Sequence, residues 1–264
     1  MASAAGKEPA WGGILDAPVE EFVPKDEDFA IEFEAPLVRW PAASPLPPFH
    51  RWEEVYPFLG PVRRFRKALL SEVMGEEPTR RWVEWPETGL YKPDDPSAAE
   101  EGAAEADWRV IPLVYTFPAN DPSATVWVER ECSRLPLATR LLRAIPGVRT
   151  ALFSRLGPGT RLAPHRGWAS LANHVLRCHL ALSVPGPRTC GVVVDGVVQW
   201  HEEGKIIVFD DSKAHFAFNN HDTDARTVLI FDIARPEGLG EGEATGGETR
   251  ELQEFIKAFM SGRA

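Results

Sequence analysis

The second half of the chain alternates short apolar runs with turn residues, and this pattern restricts the possible folds more than any other feature. Runs of about strand length follow one another at 148–156, 160–165, 173–184, 190–201, 205–209, 214–218 and 226–233. Between two valine-rich stretches lies Asp195-Gly196, a dipeptide that favours a two-residue hairpin turn. Many short strands at such spacing are typical of a sandwich or a small barrel. We therefore expect a mainly β core.

Helical patterns flank this core. Two helices are expected within 50–74, because Pro57 breaks the first and Pro61 suits the opening turn of the second. Apolar residues then share one helical face that should pack on a sheet, namely Val62, Phe65, Leu69 and Val73. Other expected elements are a short strand at 81–86, a buried strand at 108–118 with Pro112 at an edge or bulge, and amphipathic helices at 135–145 and 250–260.

These elements predict one catalytic domain overall, in four parts. The parts are an extended arm at 1–48, helices and strands packing on the core at 49–147, the β core at 148–236, and a linker with a C-terminal helix at 237–264. The arm and the acidic surface loop 94–107 are irregular and lie outside the strand pattern. They are therefore the expected lids of any site in the core.

Composition and charge exclude several classes of function. The chain has 264 residues and a net charge of −10, which argues against nucleic acid as the main partner because phosphate binding needs a basic face. Its 3 cysteines form no close pair, so reduced intracellular thiols are expected. No apolar run approaches the ~18 residues of a membrane span, and no secretory signal is visible. We expect a cytoplasmic protein without a membrane anchor; its oligomeric state is not indicated.

The 7 histidines fall into groups. Three are expected at the surface, because they precede a helix or fall in turn-like segments: His50, His201 and His221. His174 fits either group. Three others lie beside a predicted strand or a tight turn: His165, His179 and His215.

A redox iron needs two imidazoles, often a carboxylate, and open coordination positions. The first histidine and the carboxylate of the usual triad are two residues apart, but the chain reads His165-Arg166-Gly167. Glycine supplies no ligand, so a site built on His165 and His215 would have two protein ligands. From spacing alone, each histidine could equally be structural.

Two arginines on apolar strands favour the interpretation of these histidines as a metal site. Arg226 opens a very apolar run, and Arg177 lies inside another, two residues before His179. An inward arginine in a barrel is costly unless it meets an anion, and its planar fork matches a carboxylate. Two inward arginines would suit a dicarboxylate such as 2-oxoglutarate. The alternative is that both face outward, since strand alternation places Arg177 and His179 on one face without saying which.

Four motifs in order resemble the aspartyl/asparaginyl β-hydroxylase family. They are Ser154 to Gly167, Leu176-Arg-Cys-His-Leu180, Trp200-His-Glu-Glu-Gly-Lys through Phe209-Asp-Asp-Ser-Lys-Ala-His215, and Arg226 to Asp232. The resemblance covers about 148–236. It implies a double-stranded β-helix, a jelly-roll or cupin-like core, in an oxygenase that uses iron(II), 2-oxoglutarate and O₂. Gly167 is itself a trait of the family.

The resemblance also implies roles for individual residues. His165 and His215 would be the iron ligands, and with Arg177 they form the predicted catalytic set. Ser154 and Arg226 would hold the distal carboxylate of 2-oxoglutarate, while Arg177 and His179 would lie at its 2-oxo acid end. The expected reaction hydroxylates an unactivated C–H bond, with succinate and CO₂ as co-products.

Other functions and several substrates stay open. A halide could fill the position left by Gly167, which would make a halogenase or another oxidative tailoring enzyme. A non-catalytic cupin-like binding protein or a zinc protein would share the same histidines. The expected substrate is a small molecule or an amino-acid or peptide side chain. Basic residues near the site could receive an acidic group or could simply be solvated: Arg155, Arg161, Arg166 and Lys213.

Overall fold

The computed structural model describes residues 22–30, 46–75, 82–92 and 106–260. Its strands are β1 (Phe49–His50), β2 (Val83–Glu84), β3 (Trp108–Thr116), β4 (Thr125–Trp127), β5 (Val148–Leu156), β6 (Val175–Ser183), β7 (Cys190–Val194), β8 (Val197–Trp200), β9 (Ile206–Phe209), β10 (His215–Asn219) and β11 (Arg226–Ala234). Its α-helices are α1 (Trp52–Val55), α2 (Leu59–Val62), α3 (Arg66–Val73), α4 (Glu129–Arg134), α5 (Pro136–Ala144), α6 (Ala169–Ala172) and α7 (Arg250–Met260). Short 3-10 turns lie at Asp26–Phe29, Arg63–Phe65, Thr88–Leu90 and Pro122–Ala124.

Two antiparallel sheets form the core. The major sheet has the order β1-β9-β6-β11-β5-β3-β2, with β4 paired to β3, and the minor sheet has the order β10-β7-β8. From β6 onward the chain crosses between the sheets four times, after β6, β8, β9 and β10, as in a jelly roll. The predicted double-stranded β-helix with flanking helices is confirmed.

Strand alternation decides what each face of the major sheet does. In β6, Cys178 and Leu180 belong to the main apolar cluster, and this strand contacts α3. The residues between them, Arg177 and His179, point to the opposite face, into the space next to the minor sheet. Arg177 and His179 therefore face inward, which is one of the two orientations that the sequence left open.

Helices α2 and α3 cover the outer face of the major sheet, as predicted. The expected face of α2 and α3 is buried there, since Val62, Leu69 and Val73 are 0% exposed and Phe65 is 1% exposed. Phe22 and Phe29 each place their ring 5.2 Å from that of Phe65. The described part of the N-terminal arm therefore lies on the domain, and the rest of residues 1–48 is mostly outside the described residues.

The segment 49–147 does more than pack on the core, because it contributes β1 through β4 to the major sheet itself. Pro112 lies at a bulge, where the register of β3 against β5 shifts between Pro112 and Val114. The predicted hairpin turn is also present. Asp195 and Gly196 have φ values of 46° and 79°, the two positive angles that such a turn requires.

The C-terminal segment differs from a free linker. Gly242 N donates to Asn173 O at 2.9 Å, and Ala169 N donates to Gly246 O at 2.7 Å, so residues 242–246 run along the domain before α7 begins. The predicted acidic loop lies almost entirely outside the described residues, which resume at Ala106. Among the described helices, none combines the length and the apolar character that a membrane crossing requires.

Candidate active site

His165 and His215 face each other between the two sheets. Their backbones form an antiparallel bridge, with His165 N donating to His215 O at 2.9 Å and the reciprocal bond at 2.8 Å. The ring centroids are 4.4 Å apart and the planes are tilted by 56°. The structure thus brings together two histidines that are 50 positions apart in sequence.

Both imidazoles are held in the same way. Nδ1 of His165 bonds the carbonyl of Ala163 at 2.8 Å, and Nδ1 of His215 bonds the carbonyl of Lys213 at 2.9 Å. A carbonyl only accepts, so Nδ1 carries the proton and the lone pair is on Nε2. Burial lowers the pKa of each ring to about 4, so both are neutral at pH 7. Neutral rings with a fixed tautomer are suited to binding a metal through Nε2.

The space beside Gly167 is filled by Asp211. A methyl group at position 167 would overlap Oδ2 of Asp211 and would lie 2.7 Å from Cβ of Ala172. Oδ1 of Asp211 lies 3.3 Å from Nε2 of His215. A fully buried carboxylate therefore occupies the side of the histidine pair where the missing triad ligand would be.

Arg177 holds this carboxylate in place. Its Nε and Nη2 donate to the two oxygens of Asp232 at 2.8 and 2.9 Å, and its Nη1 lies 2.6 Å from Oδ1 of Asp211. Burial raises the pKa of each carboxyl, and the charge of Arg177 opposes that effect. Because three nitrogens of Arg177 already face aspartates, its predicted role at the 2-oxo acid end of the co-substrate stays a prediction.

Arg226 lies deepest in the site. It is 1% exposed, and its Nε and Nη1 are buried without a hydrogen-bond partner among the described residues. Burial lowers its pKa to about 10. Nearby, Oγ of Ser154 accepts from Nε1 of Trp108 at 3.0 Å, which leaves the hydroxyl proton of Ser154 free to donate elsewhere. An arginine and a hydroxyl with spare donors form a pocket for an anion.

His179 is paired with a histidine that was expected at the surface. Nδ1 of His179 lies 3.2 Å from Nε2 of His201, and the rings are stacked with an interplanar angle of 25°. His201 is 1% exposed, so its predicted surface position is wrong; the turn that carries it folds back against β6. His50 is half-buried in β1 beside Val208, and this burial lowers its pKa to about 4, so it is less exposed than predicted.

Two adjoining cavities meet at these residues. The smaller, of about 30 Å³, is lined by all six predicted site residues: Ser154, His165, Arg177, His179, His215 and Arg226. The larger, of about 290 Å³, is reached past His165, Gly167 and Asp211. The structure thus gathers every predicted position around one space, while the part that each plays in binding remains a prediction. No cluster of three or more histidine, cysteine, aspartate or glutamate side chains with metal-binding geometry is found among the described residues.

A family model described as aspartyl/asparaginyl beta-hydroxylase matches residues 80–236, which is more than half of the chain. The chain belongs to this family. The match begins before the region of resemblance predicted from the motifs and includes β2, β3 and β4, which the structure places in the same sheet. Residues 80–236 are accordingly a domain of the aspartyl/asparaginyl beta-hydroxylase family, which begins earlier in the chain than the motifs alone indicated.

Curated relatives agree with this assignment. An ornithine lipid ester-linked acyl 2-hydroxylase of Rhizobium tropici is 39% identical over 109 residues, or 41% of this chain and 37% of the relative. The human aspartyl/asparaginyl beta-hydroxylase is 30% identical over 154 residues, or 56% of this chain and 18% of the relative. The chain thus spans less than half the length of these curated relatives.

A solved structure described as an oxidoreductase of the 2OG-Fe(II) oxygenase family, from Burkholderia pseudomallei, superposes with a TM-score of 0.38. It is 15% identical and covers 60% of this chain and 77% of that one. The family assignment rests on the sequence match and on the topology of the two sheets.

Sequence reasoning missed four residues at this site: Asp211, Asp232, Trp108 and His201. Asp211 had a signal, because it precedes His215 by four positions in the Asp-Asp-Ser-Lys-Ala-His motif. Trp108 and His201 had none, since their contacts with Ser154 and His179 join strands that are far apart in sequence.

Proposed function

We propose that the chain is an iron(II)- and 2-oxoglutarate-dependent hydroxylase. In this proposal His165 and His215 hold the metal, and Arg226 with Ser154 holds the distal carboxylate of 2-oxoglutarate. The single observation that carries it is the buried guanidinium of Arg226, short of partners, in the cavity that also contains both histidines. A cation held there at neutral pH requires an anion, and the adjacent imidazoles suit a metal.

The residues present fit a divalent metal. Two neutral imidazoles have Nε2 free of any backbone contact, because their Nδ1 atoms bond carbonyls. Asp211 adds a buried carboxylate whose oxygens accept no hydrogen bond of good geometry among the described residues. A cation, or a water bound to it, would satisfy that carboxylate. Two imidazole nitrogens and a nearby carboxylate oxygen form a set of ligands that suits iron(II) better than a set of thiolates would.

The residues also fit a dicarboxylate, although the cavity is narrow. Arg226 and Ser154 supply donors at one end, and His179 lies between them and the metal ligands. Its bond to His201 leaves Nε2 of His179 for a ligand atom. The cavity that would hold the co-substrate is small, at about 30 Å³.

Iron and 2-oxoglutarate together would supply the oxidation of an unactivated C–H bond by O₂, with succinate and CO₂ as co-products. The chain's own part is to bind, to orient and to exclude water. Arg226 and Ser154 fix the co-substrate at its far end. Arg177 fixes Asp211, and the buried walls keep the reacting atoms apart from solvent.

The alternatives receive less support. A halogenase needs room for a halide beside position 167, and the carboxylate of Asp211 fills that room. The charge of that carboxylate would also repel an anion. A purely structural role would leave the unpartnered Arg226 without an explanation.

The substrate of this proposal is a small molecule or an amino-acid side chain. The relatives' names include both a lipid acyl 2-hydroxylase and a protein hydroxylase, so similarity alone does not choose between them. The cavity of about 290 Å³ lies at the lower end of the size typical of small-molecule sites.

The test needs no substrate. The protein is mixed anaerobically with iron(II) and 2-oxoglutarate, and the metal-to-ligand charge-transfer absorption is recorded. We expect the band in the natural chain and its loss in His165→Ala and His215→Ala. His174→Ala is the matched control, because its side chain lies outside the site, with Glu241 at 3.9 Å. An identical spectrum for the natural chain and His165→Ala would refute the metal site.

A further inference from the structure

The cavity of about 290 Å³ beside the metal site has mostly apolar walls. We call it the tryptophan cavity, and its apolar lining is Trp85, Leu90, Trp108, Leu152, Trp168, Leu171 and Ile230. Trp85 stacks on Trp108 at 4.7 Å and lies nearly parallel to Trp168 at 6.2 Å. Leu152 and Ile230 are register partners on β5 and β11, so they stand side by side on the inward face of the sheet.

The charged side chains in the same lining have partners within the described part of the protein. Arg177 is paired with Asp211 and Asp232, which also line the cavity. Arg166 donates to the carbonyl of Ser212 at 2.7 Å and to Glu243 at 2.9 Å. Both arginines of the lining are thus paired with carboxylates, and no cation is left to receive an anionic group of a ligand.

Glu87 is the remaining charged group of the lining, and it is engaged as well. Its two oxygens accept from Nε1 of Trp85 at 3.2 Å and from the hydroxyl of Thr249 at 2.7 Å. Burial raises its pKa, as expected for a carboxylate against apolar surface. Glu87 therefore links Trp85 through hydrogen bonds to the segment that leads to α7.

The basic residues that could have received an acidic substrate are also unsuited to that role. Lys213 lies 3.2 Å from Asp195, and the guanidinium of Arg161 lies 4.4 Å from the ring centroid of Phe216. Neither these two nor Arg155 lines the tryptophan cavity. An acidic group entering it would lose water and gain no cation in return.

The C-terminal segment closes the far side of this space. Gly246, Gly247 and Thr249 belong to its lining, and Thr249 is held by Glu87. Leu252 and Phe255 of α7 pack on the same aromatic cluster from outside. The cavity is thus walled by the indole rings of Trp85, Trp108 and Trp168 and by a stretch of C-terminal backbone that offers little charge.

We propose that the tryptophan cavity receives an uncharged hydrocarbon part of the substrate. The C–H bond that is attacked would then belong to an apolar group and not to a carboxylate-bearing side chain. This last step rests on the proposed function, whereas the binding preference does not. Its physical basis is the transfer of apolar surface from water, at about 0.8 kcal/mol for each CH₂ group.

Calorimetric titration of the full chain with two six-carbon probes tests the preference. We expect n-hexanol to bind at least about tenfold more tightly than hexanoate, because a carboxylate would be desolvated beside Asp211 and Asp232 without a cation to pair with it. From butanol upward, each added CH₂ should tighten Kd by about fourfold until the cavity is full.

Leu152→Asp supplies the decisive variant. Leu152 lines the tryptophan cavity but not the smaller one, and a cooperative thermal unfolding transition reports that the variant is folded. We expect hexanol to bind more than tenfold more weakly, because an apolar probe would have to take the added carboxylate out of water. Val198→Asp is the matched control, because Val198 is 40% exposed on the β7–β8 hairpin, and it should behave like the natural chain.

Each outcome of this design decides the question. Tighter binding of hexanoate than of hexanol by the natural chain, no dependence of affinity on chain length, or an unchanged affinity for hexanol in Leu152→Asp would overturn the proposal. Neither turnover nor binding of 2-oxoglutarate is involved, so a failure of the iron and 2-oxoglutarate test leaves these results standing. Conversely, a preference for hexanoate would leave the charge-transfer test unaffected.

Discussion

Replacing Arg226 with methionine tests whether this arginine binds the co-substrate or has a structural role. Methionine keeps much of the length and apolar character of the side chain but removes its charge. Burial lowers the pKa of Arg226 to about 10, well below the ordinary value of a guanidinium. At ~1.36 kcal/mol for each pH unit, the folded protein without a bound anion carries a cost of about 3 kcal/mol for this charge.

Removing that cost should stabilise the protein when no ligand is present. Exchanging buried ionic groups for well-packed apolar ones has raised stability by about 1–4 kcal/mol in other proteins. We expect Arg226→Met to raise the free energy of unfolding by about 1–3 kcal/mol. For a domain of this size, that corresponds to a rise in Tm of about 2–10 °C. Thermal and urea unfolding of the metal-free protein measure it.

Binding should change in the opposite direction. Hydrogen bonds to charged groups contribute about 1.5–3 kcal/mol each, so losing two of them should raise the Kd for 2-oxoglutarate at least about 100-fold. The natural chain should gain about 2.7 kcal/mol of stability at a ligand concentration of 100 Kd, and Arg226→Met should gain almost none at that concentration. Titration calorimetry with manganese(II) present, in place of iron, avoids turnover.

Arg226→Lys is the control for charge alone. It keeps the cation but loses the planar fork that matches a carboxylate, so we expect intermediate affinity and no gain in stability. The reasoning would be refuted if Arg226→Met lost stability without ligand and still bound 2-oxoglutarate normally. Arg226 would then be a structural residue whose partner lies outside the described chain.

Two further predictions concern histidines. Burial lowers the pKa of His165 and His215 to about 4, while the unfolded rings titrate near ~6.5 and so bind more protons between these values. The metal-free protein should therefore lose stability as pH falls from about 6.5 to 4 in urea unfolding, and a flat profile would contradict this. His201→Phe removes the hydrogen-bond partner of His179 and should raise the Kd for 2-oxoglutarate about tenfold, whereas His201→Gln, which keeps a donor, should restore it. Equal Kd values for the two variants would argue that the ring pair only fills space.

The sequence was sufficient to predict the strands and the positions that line the site. Turn residues bound each apolar run, and Asp195-Gly196 has the positive φ values that its hairpin needs. Alternation placed Arg177 and His179 on one face, but only the helices packed on Cys178 and Leu180 decide that this face is the inner one. That choice depends on tertiary packing, which no local pattern contains.

What the sequence missed are contacts across long distances in the chain. His201 was assigned to the surface because its neighbours form a turn, yet it stacks on His179, 22 positions away. The apolar character of the tryptophan cavity does not follow from the sequence either. Trp85, Trp108 and Trp168 come from separate segments, and only the folded chain stacks them together.

The missing side chain at Gly167 and the position of Asp211 depend on each other. In sequence, Gly167 looks like a lost metal ligand; in the structure, Asp211 fills the space that a side chain there would need, and Arg177 holds it. Restoring the usual triad through Gly167→Asp should therefore fail. Two carboxylates would overlap, which combines like-charge repulsion with overpacking worth about 1–3 kcal/mol.

The double variant Gly167→Asp with Asp211→Gly tests whether the two side chains compete for the same space. Gly167→Asp alone should lower the free energy of unfolding by about 3 kcal/mol, while adding Asp211→Gly should recover most of that loss, because the second change empties the contested space. The coupling energy between the two sites should be about 1–3 kcal/mol, as expected for residues in contact. Gly89→Asp is the control, since no atom lies within 4 Å of a Cβ at that position. Additive losses in the double variant would mean that Asp211 does not replace the missing ligand in space, and that Gly167 is small for another reason.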